Sequence, residues 1–180
     1  MKYRGYRVDV TLAVALLTLA VLLGGRLAYA RFLVERPLVA ELEALSGVQS
    51  VTLERSDAGY VLHLKLAEVK DLPGLYRQIE KLGAERLGAG NFVVKIQDER
   101  TPALESVYYR IHYYLEEALV QGNFSTAAAK IQSEARAAGV EERFYVDEGH
   151  IYLELKHGRQ YLYEVRHRPQ VLAGGRMGPV

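Results

Sequence analysis

Five histidines are the residues of this 180-residue chain best suited to hold a metal or move a proton near neutral pH. Ligation by neighbours needs HxH or HxxxH spacing, and neither occurs. His150 and His157 share one strand-like segment, but their odd separation turns them to opposite faces. His63, His112 and His167 fall in separate segments, so they read as surface or half-buried side chains. Carboxylates come in pairs at Glu116-Glu117, Glu141-Glu142 and Asp147-Glu148. General acid–base work needs two carboxyls facing one cleft in different environments. Adjacent residues on a helix point apart, and the other pairs lie in or beside turns, so solvated surface is expected. Ser46, Ser50, Ser56, Ser106, Ser125 and Ser133 show no GxSxG elbow and no SxxK pair. Cysteine is absent, which excludes disulfides, thiol catalysis and zinc–thiolate sites. Gly88-Ala-Gly90 follows a helical segment and precedes a strand, the reverse of a nucleotide fingerprint. The reading therefore assigns no catalytic residue, no cofactor and no metal.

The chemistry that remains is that of surfaces. Tyr108-Tyr-Arg-Ile-His-Tyr-Tyr114 is the most unusual segment, and at helical spacing its four tyrosines cannot all face one core. Tyrosine joins apolar area to a hydroxyl and is favoured at interfaces. Two readings stay open. The tyrosines form a second layer of core under a strand meander that carries Tyr145, Tyr152, Tyr161 and Tyr163, or Tyr109, Tyr113 and Tyr152 contact a partner. Lys156, His157, Arg159, Arg166, His167 and Arg168 gather near the last hairpin, as a solvated end or a contact for lipid headgroups or an anionic polymer.

The elements that position these residues follow from periodicity. Pro37 opens a helix over 37–47, with Leu38, Leu42 and Leu45 at helical spacing and Gly47 to end it. Residues 49–55 and 60–66 alternate around Ser56-Asp-Ala-Gly59, which predicts a hairpin. Asp71 caps a helix with Leu75, Ile79 and Leu82 on one stripe, interrupted or ended at Gly83. Residues 91–97 make a third strand. Thr101-Pro102 starts a helix to about Val120, and Ser125 caps another to Ala138. Arg143–Asp147, His150–His157 and Gln160–Arg166 then read as a three-stranded meander. The expected class is α+β: a membrane helix in 1–36, an α-β-β-α-β unit in 37–99, an α-α-β-β-β unit with antiparallel sheet in 100–168, and a disordered tail in 169–180.

The leader decides location. Val10 to Leu23 carries no charge, follows Lys2, Arg4 and Arg7, and precedes Gly24, Gly25 and Arg26. Val10, Leu12, Val14, Leu16, Leu17, Leu19, Val21, Leu22 and Leu23 are the residues expected in lipid. As an uncleaved anchor, the helix would continue past Arg26 toward Val34, with Arg26 snorkelling. As a signal peptide, the chain would be cut after Ala30, behind the small-x-small triplet Ala28-Tyr29-Ala30. The short N-terminus places it inside and the bulk of the chain outside the cytoplasm. Residues 37–180 carry three more acids than bases, so nucleic acid is not an expected partner.

In element order, and in following a membrane segment, residues 37–97 resemble ring-building and pilus-assembly modules of bacterial membrane machines. These include sporulation-channel and secretion-ring components and single-span assembly proteins of type IV pili. The resemblance covers about a third of the chain and carries no residue-level motif. The leader Met1–Gly5 is also similar to that of prepilins, but Val10 stands where those keep a glutamate. The resemblance implies a single-pass envelope protein with an exported assembly or scaffold domain, whose partners are a lipid bilayer and protein subunits, including its own copies. An exported enzyme and a ligand-sensing domain are the alternatives.

Overall fold

The computed structural model describes residues 2–3, 6–29, 34–168, 171–172 and 176–177, with side chains over 10–25 and 34–168. Two-residue strands β1 (Lys2–Tyr3) and β2 (Tyr6–Arg7) precede α1 (Val8–Tyr29). The nine apolar side chains from Val10 to Leu23 are all exposed, at 49–66%. Thr18 returns its hydroxyl to the Val14 carbonyl at 2.9 Å, so this polar group is satisfied within the helix. Among the described residues no helix is long and apolar enough to cross a membrane. The uncharged run Val10–Gly25 would rise only about 24 Å, against ~30 Å of hydrocarbon. The expected helix is present as α1.

The first unit starts with α2 (Arg36–Glu43), which stops short of the expected Gly47. The chain leaves it in successive tight turns, Leu45 N–H to the Leu42 carbonyl and Val48 N–H to the Leu45 carbonyl, which satisfy the last carbonyls early. Strands β3 (Val48–Ser56) and β4 (Gly59–Leu66) form the expected hairpin, with Val51 opposite Leu64 and Leu53 opposite Leu62. The Asp71 carboxylate accepts from the Gly74 N–H and starts α3 (Leu72–Leu87). This helix runs straight through Gly83, where a break was allowed. A Cβ at Gly83 would lie 2.6 Å from the Phe92 ring, so glycine serves the close approach of helix to strand. Strand β5 (Phe92–Gln97) returns parallel to β4, with α3 as the crossover. Helices α2 and α3 cover one sheet face, burying Leu38, Leu42, Leu62, Leu64, Leu66 and Ile79. Thr52, Glu54, Lys65 and Lys95 stand on the other, exposed face.

In the second unit, the Thr101 hydroxyl accepts from the Leu104 N–H and caps α4 (Pro102–Gln121). Gly122, at φ +71°, ends it. The chain turns at once, so α5 (Phe124–Ala137) is entered from Asn123 rather than from the expected cap Ser125. Strands β6 (Glu141–Val146), β7 (His150–His157) and β8 (Gln160–His167) make an antiparallel meander in that order. The inner faces of α4 and α5, including Leu104, Ile111, Leu115 and Ile131, pack with Ile151, Leu153, Leu155 and Leu162. In the tail, β9 (Val171–Leu172) pairs with β10 (Arg176–Met177), and the remaining positions, with the disorder expected of them, lie outside the described residues.

The described residues thus form a mixed α+β fold of five helices and two three-stranded sheets, besides the two-residue pairs. The two units meet across the second sheet, which contributes to both core clusters. Tyr152, Tyr161 and Tyr163, on the β7–β8 face turned away from α4 and α5, belong to the core cluster of the first unit. Strand β7 is therefore buried on both faces from Ile151 to Leu155.

Candidate functional site

Where the units meet, the sheet offers side chains in cross-strand rows. Register sets Arg143 of β6 opposite Glu154 of β7, and Glu154 opposite Tyr163 of β8. The next row is Glu141, Lys156 and Tyr161. Alternation turns all of these toward the connection between β4 and α3. Beyond the Ala67 N–H, which donates to the Gly47 carbonyl at 2.8 Å, that connection lacks ladder partners, so its backbone must be satisfied from outside. The Tyr163 hydroxyl accepts from the Val69 N–H at 2.8 Å and donates to the Ala67 carbonyl at 3.1 Å. Tyr161 donates its hydroxyl to the Leu66 carbonyl at 2.9 Å, and Arg143 donates to the Lys70 carbonyl at 3.1 Å. Lys156 pairs with Glu68, and this contact holds the Glu68 carboxyl below its usual range. From the other side, the buried Asp98 carboxylate accepts from the Tyr163 N–H and from Arg100.

A cleft of about 320 Å³ opens beside this junction, and Glu154 lines it. Glu154 is only 7% exposed. Its Oε1 has no hydrogen-bond partner, and its Oε2 lies 3.7 Å from Arg143. Burial raises its pKa to about 7, against the opposing pull of Arg143 and the Leu72 N–H. The folded chain thus holds the proton more tightly than the unfolded chain, where an ordinary glutamate titrates near ~4.3. This contribution to stability is full below that value and is lost as pH rises toward 7. Glu154→Gln removes the dependence. Relative to wild type, the variant should gain stability between pH 4 and pH 8, by up to roughly 3.5 kcal/mol. Urea titrations of both proteins at pH 4, 6 and 8 measure the gain, and parallel curves would contradict the buried carboxyl.

A second polar cluster lies at the other end of β7. Asp147 accepts from the Gly149 and His150 N–H groups and from the Tyr152 hydroxyl at 2.8 Å. Burial raises its pKa, but the Tyr152 hydroxyl and these N–H groups outweigh it and hold the carboxyl below its usual range. His150 Nε2 sits 3.3 Å from Glu80, and its ring meets those of Tyr76 and His167. Burial lowers the pKa of His150 and raises that of Glu80, so both are drawn toward neutrality. Among the described residues, no group of three or more histidines and carboxylates is arranged to hold a metal ion.

The tyrosines read from the sequence divide. Tyr109 and Tyr113 stand exposed on α4, at 66% and 57%, and stack edge to face at 6.1 Å. Tyr152 is corrected: it is fully buried, with its hydroxyl on Asp147 and its ring on Tyr76, so it has no surface to offer a partner. Asp147 likewise departs from the solvated pair expected with Glu148. The leader's apolar residues lie on α1, apart from the cleft. Glu154 escaped the sequence reading: His150, Glu154 and Lys156 are polar at the parity opposite Ile151, Leu153 and Leu155, the alternation of a strand covered on one side, so nothing local marked its burial.

No family model matches this chain, and no curated protein matches it.

Proposed function

We propose that this is a membrane-anchored binding protein of a bacterial cell envelope, in which α1 seats the chain in a bilayer and the α+β body acts as an assembly scaffold. One observation carries this reading: nine apolar side chains on α1 are exposed together. They lie on all sides of the helix, from Val10 to Leu23, whereas a helix paired with another chain needs only one apolar stripe. Lipid covers such a helix from every direction. Thr18, bonded to its own backbone, needs no water there. A short apolar run is accommodated by local thinning and by long basic side chains at the interface. The exposed pair Tyr109 and Tyr113 supplies a rigid aromatic contact for a protein partner or a second copy.

Full-length protein should float with vesicles, resist carbonate extraction and keep its N-terminal methionine. Crosslinking in cells should trap a partner or a second copy through α4, and Tyr109→Ala with Tyr113→Ala should remove that product while changing stability by less than ~0.5 kcal/mol. A full-length product that is monodisperse without detergent would overturn the lipid placement. An unchanged crosslink in the double variant would overturn the contact.

A further inference from the structure

We infer that the outer edge of β6 is a binding site for an extended segment of a partner polypeptide, which joins the second sheet as a fourth strand in the groove between β6 and α5. The register decides which backbone groups are on offer. The Asp147 N–H donates to the His150 carbonyl at 3.0 Å, so this pair is hydrogen-bonded. In an antiparallel ladder, bonded pairs alternate with unbonded ones. Arg143 and Tyr145 therefore bond to Glu154 and Tyr152 of β7, whereas Glu142, Phe144 and Val146 aim their N–H and C=O groups away from the sheet. Among the described residues these outward groups have no partner. The outer edges of β3 and β8 are treated differently. The Val51 N–H on β3 is taken by the Glu43 carboxylate at 3.2 Å, and the Tyr163 N–H on β8 by Asp98 at 2.9 Å. A carboxylate in that position denies the edge to another chain. The edge of β6 carries no such plug among the described residues.

The second observation is room. Two adjoining spaces of about 520 and 300 Å³ run along this edge. One wall is α5, with Ala128, Ala129, Gln132 and Arg136, and the other is β6. The methyl side chains of Ala128 and Ala129 leave depth for the side chains of an added strand. The outward groups recur every two residues, about 7 Å, and another extended backbone matches that repeat. Added residues opposite Glu142, Phe144 and Val146 face α5, because Phe144 and Val146 pack into the α4–α5 core. Small apolar side chains fit there. Residues of the other parity lie beside the exposed Tyr145 ring, where β-branched side chains pair well. Glu141 and Glu142 are balanced along the groove by Arg136 and Arg143, so a neutral segment suits it. A second copy of β6 does not. Since α5 packs on β6, such pairing would set two α5 helices over strands about 4.8 Å apart, inside the roughly 8–10 Å that packed helices need. This inference rests neither on the lipid seat of α1 nor on the Tyr109–Tyr113 contact, which lies on α4.

Full-length protein in detergent micelles, titrated with acetyl-Val-Thr-Val-Thr-Val-amide and followed by amide NMR, is the test. Without peptide, the Glu142, Phe144 and Val146 amides should exchange with solvent fast, and those of Arg143 and Tyr145 slowly. Saturating peptide should slow the first three about tenfold or more. N-methyl groups on the three valines, whose N–H groups face β6, should weaken binding about tenfold or more. N-methyl groups on the two threonines, whose N–H groups face away, should change it by less than about threefold. Ala129→Leu narrows the groove from the exposed flank of α5 and should weaken binding about tenfold. The inference fails if the peptide gives no saturable shift, if the two methylated peptides bind alike, or if Ala129→Leu binds as wild type. It also fails if the three amides are already protected without peptide, which would show that a second copy or another part of the chain covers the edge. Should Ala129→Leu not fold, the two methylated peptides on wild type still decide.

Discussion

Gly59→Ala is expected to cost the folded body about 3 kcal/mol or more. Gly59 begins β4 at φ +128°, where an L side chain is strained. A Cβ there would also fall 2.2 Å from the Asn91 carbonyl oxygen. That oxygen is backbone and cannot swing aside. It accepts from the Tyr60 N–H at 2.8 Å and so fixes the start of the parallel pairing between β4 and β5. Relief requires β5 to shift, which disturbs Phe92 and its packing on Gly83. Gly90→Ala is the control. Gly90 also has positive φ, +78°, but has nothing within 4 Å of the added carbon, so only the conformational cost of about 1–2 kcal/mol remains. Urea denaturation of the two variants beside wild type measures both. Equal losses would show that strain alone acts at Gly59.

Tyr163 should give the second large effect, because it joins the two units. Its ring is 3% exposed, and its hydroxyl serves both the Val69 N–H and the Ala67 carbonyl. Tyr163→Phe keeps the ring and leaves a buried N–H without an acceptor, for a loss of about 1–3 kcal/mol. Tyr163→Ala also opens a cavity between the cores and should cost about 3–5 kcal/mol or more. The form of the transition is informative as well. The junction at Tyr163 makes the units cooperative, so wild type and Tyr163→Phe should unfold in one step, and Tyr163→Ala should separate the transitions seen by near-UV and far-UV circular dichroism. A Phe variant as stable as wild type would show that water replaces the hydroxyl without cost.

Much of the fold was legible because it rests on local rules. Val51, Leu53, Leu62 and Leu64 alternate, and a period of two can bury them only as a hairpin with those residues facing one way. Thr101-Pro102 opens α4 because a hydroxyl and a missing N–H both suit a first turn. The misreadings have equally local causes. Gly83 looked like a break because glycine is a poor helix former, but its neighbour in space, Phe92, was not visible from sequence. Asn123 displaced Ser125 because the left-handed turn at Gly122 re-enters a helix sooner than the capping preference suggests.

The candidate site was less legible, since its parts come from positions far apart in the chain. Helical spacing alone showed that the four tyrosines of Tyr108–Tyr114 cannot share one face, but left open whether Tyr109 and Tyr113 lie in a second layer of core; their exposure was decided by the fold. Tyr152 was no more legible, since its burial depends on Tyr76 and Asp147 closing over it.

By itself, the sequence determined the apolar, uncharged character of Val10–Leu23, the order of helices and strands, and the inward face of each. These are properties of spacing along one chain, and water sorts them without reference to distant residues. The tertiary structure alone decided that the second sheet is covered on both sides. It also decided that the Leu66–Asp71 connection draws its hydrogen bonds from Tyr161, Tyr163 and Arg143, and that Glu154 lies sealed beneath it with one oxygen unmet. The docking of two finished surfaces sets a side chain's solvation, and periodicity within either surface does not encode which of them will meet.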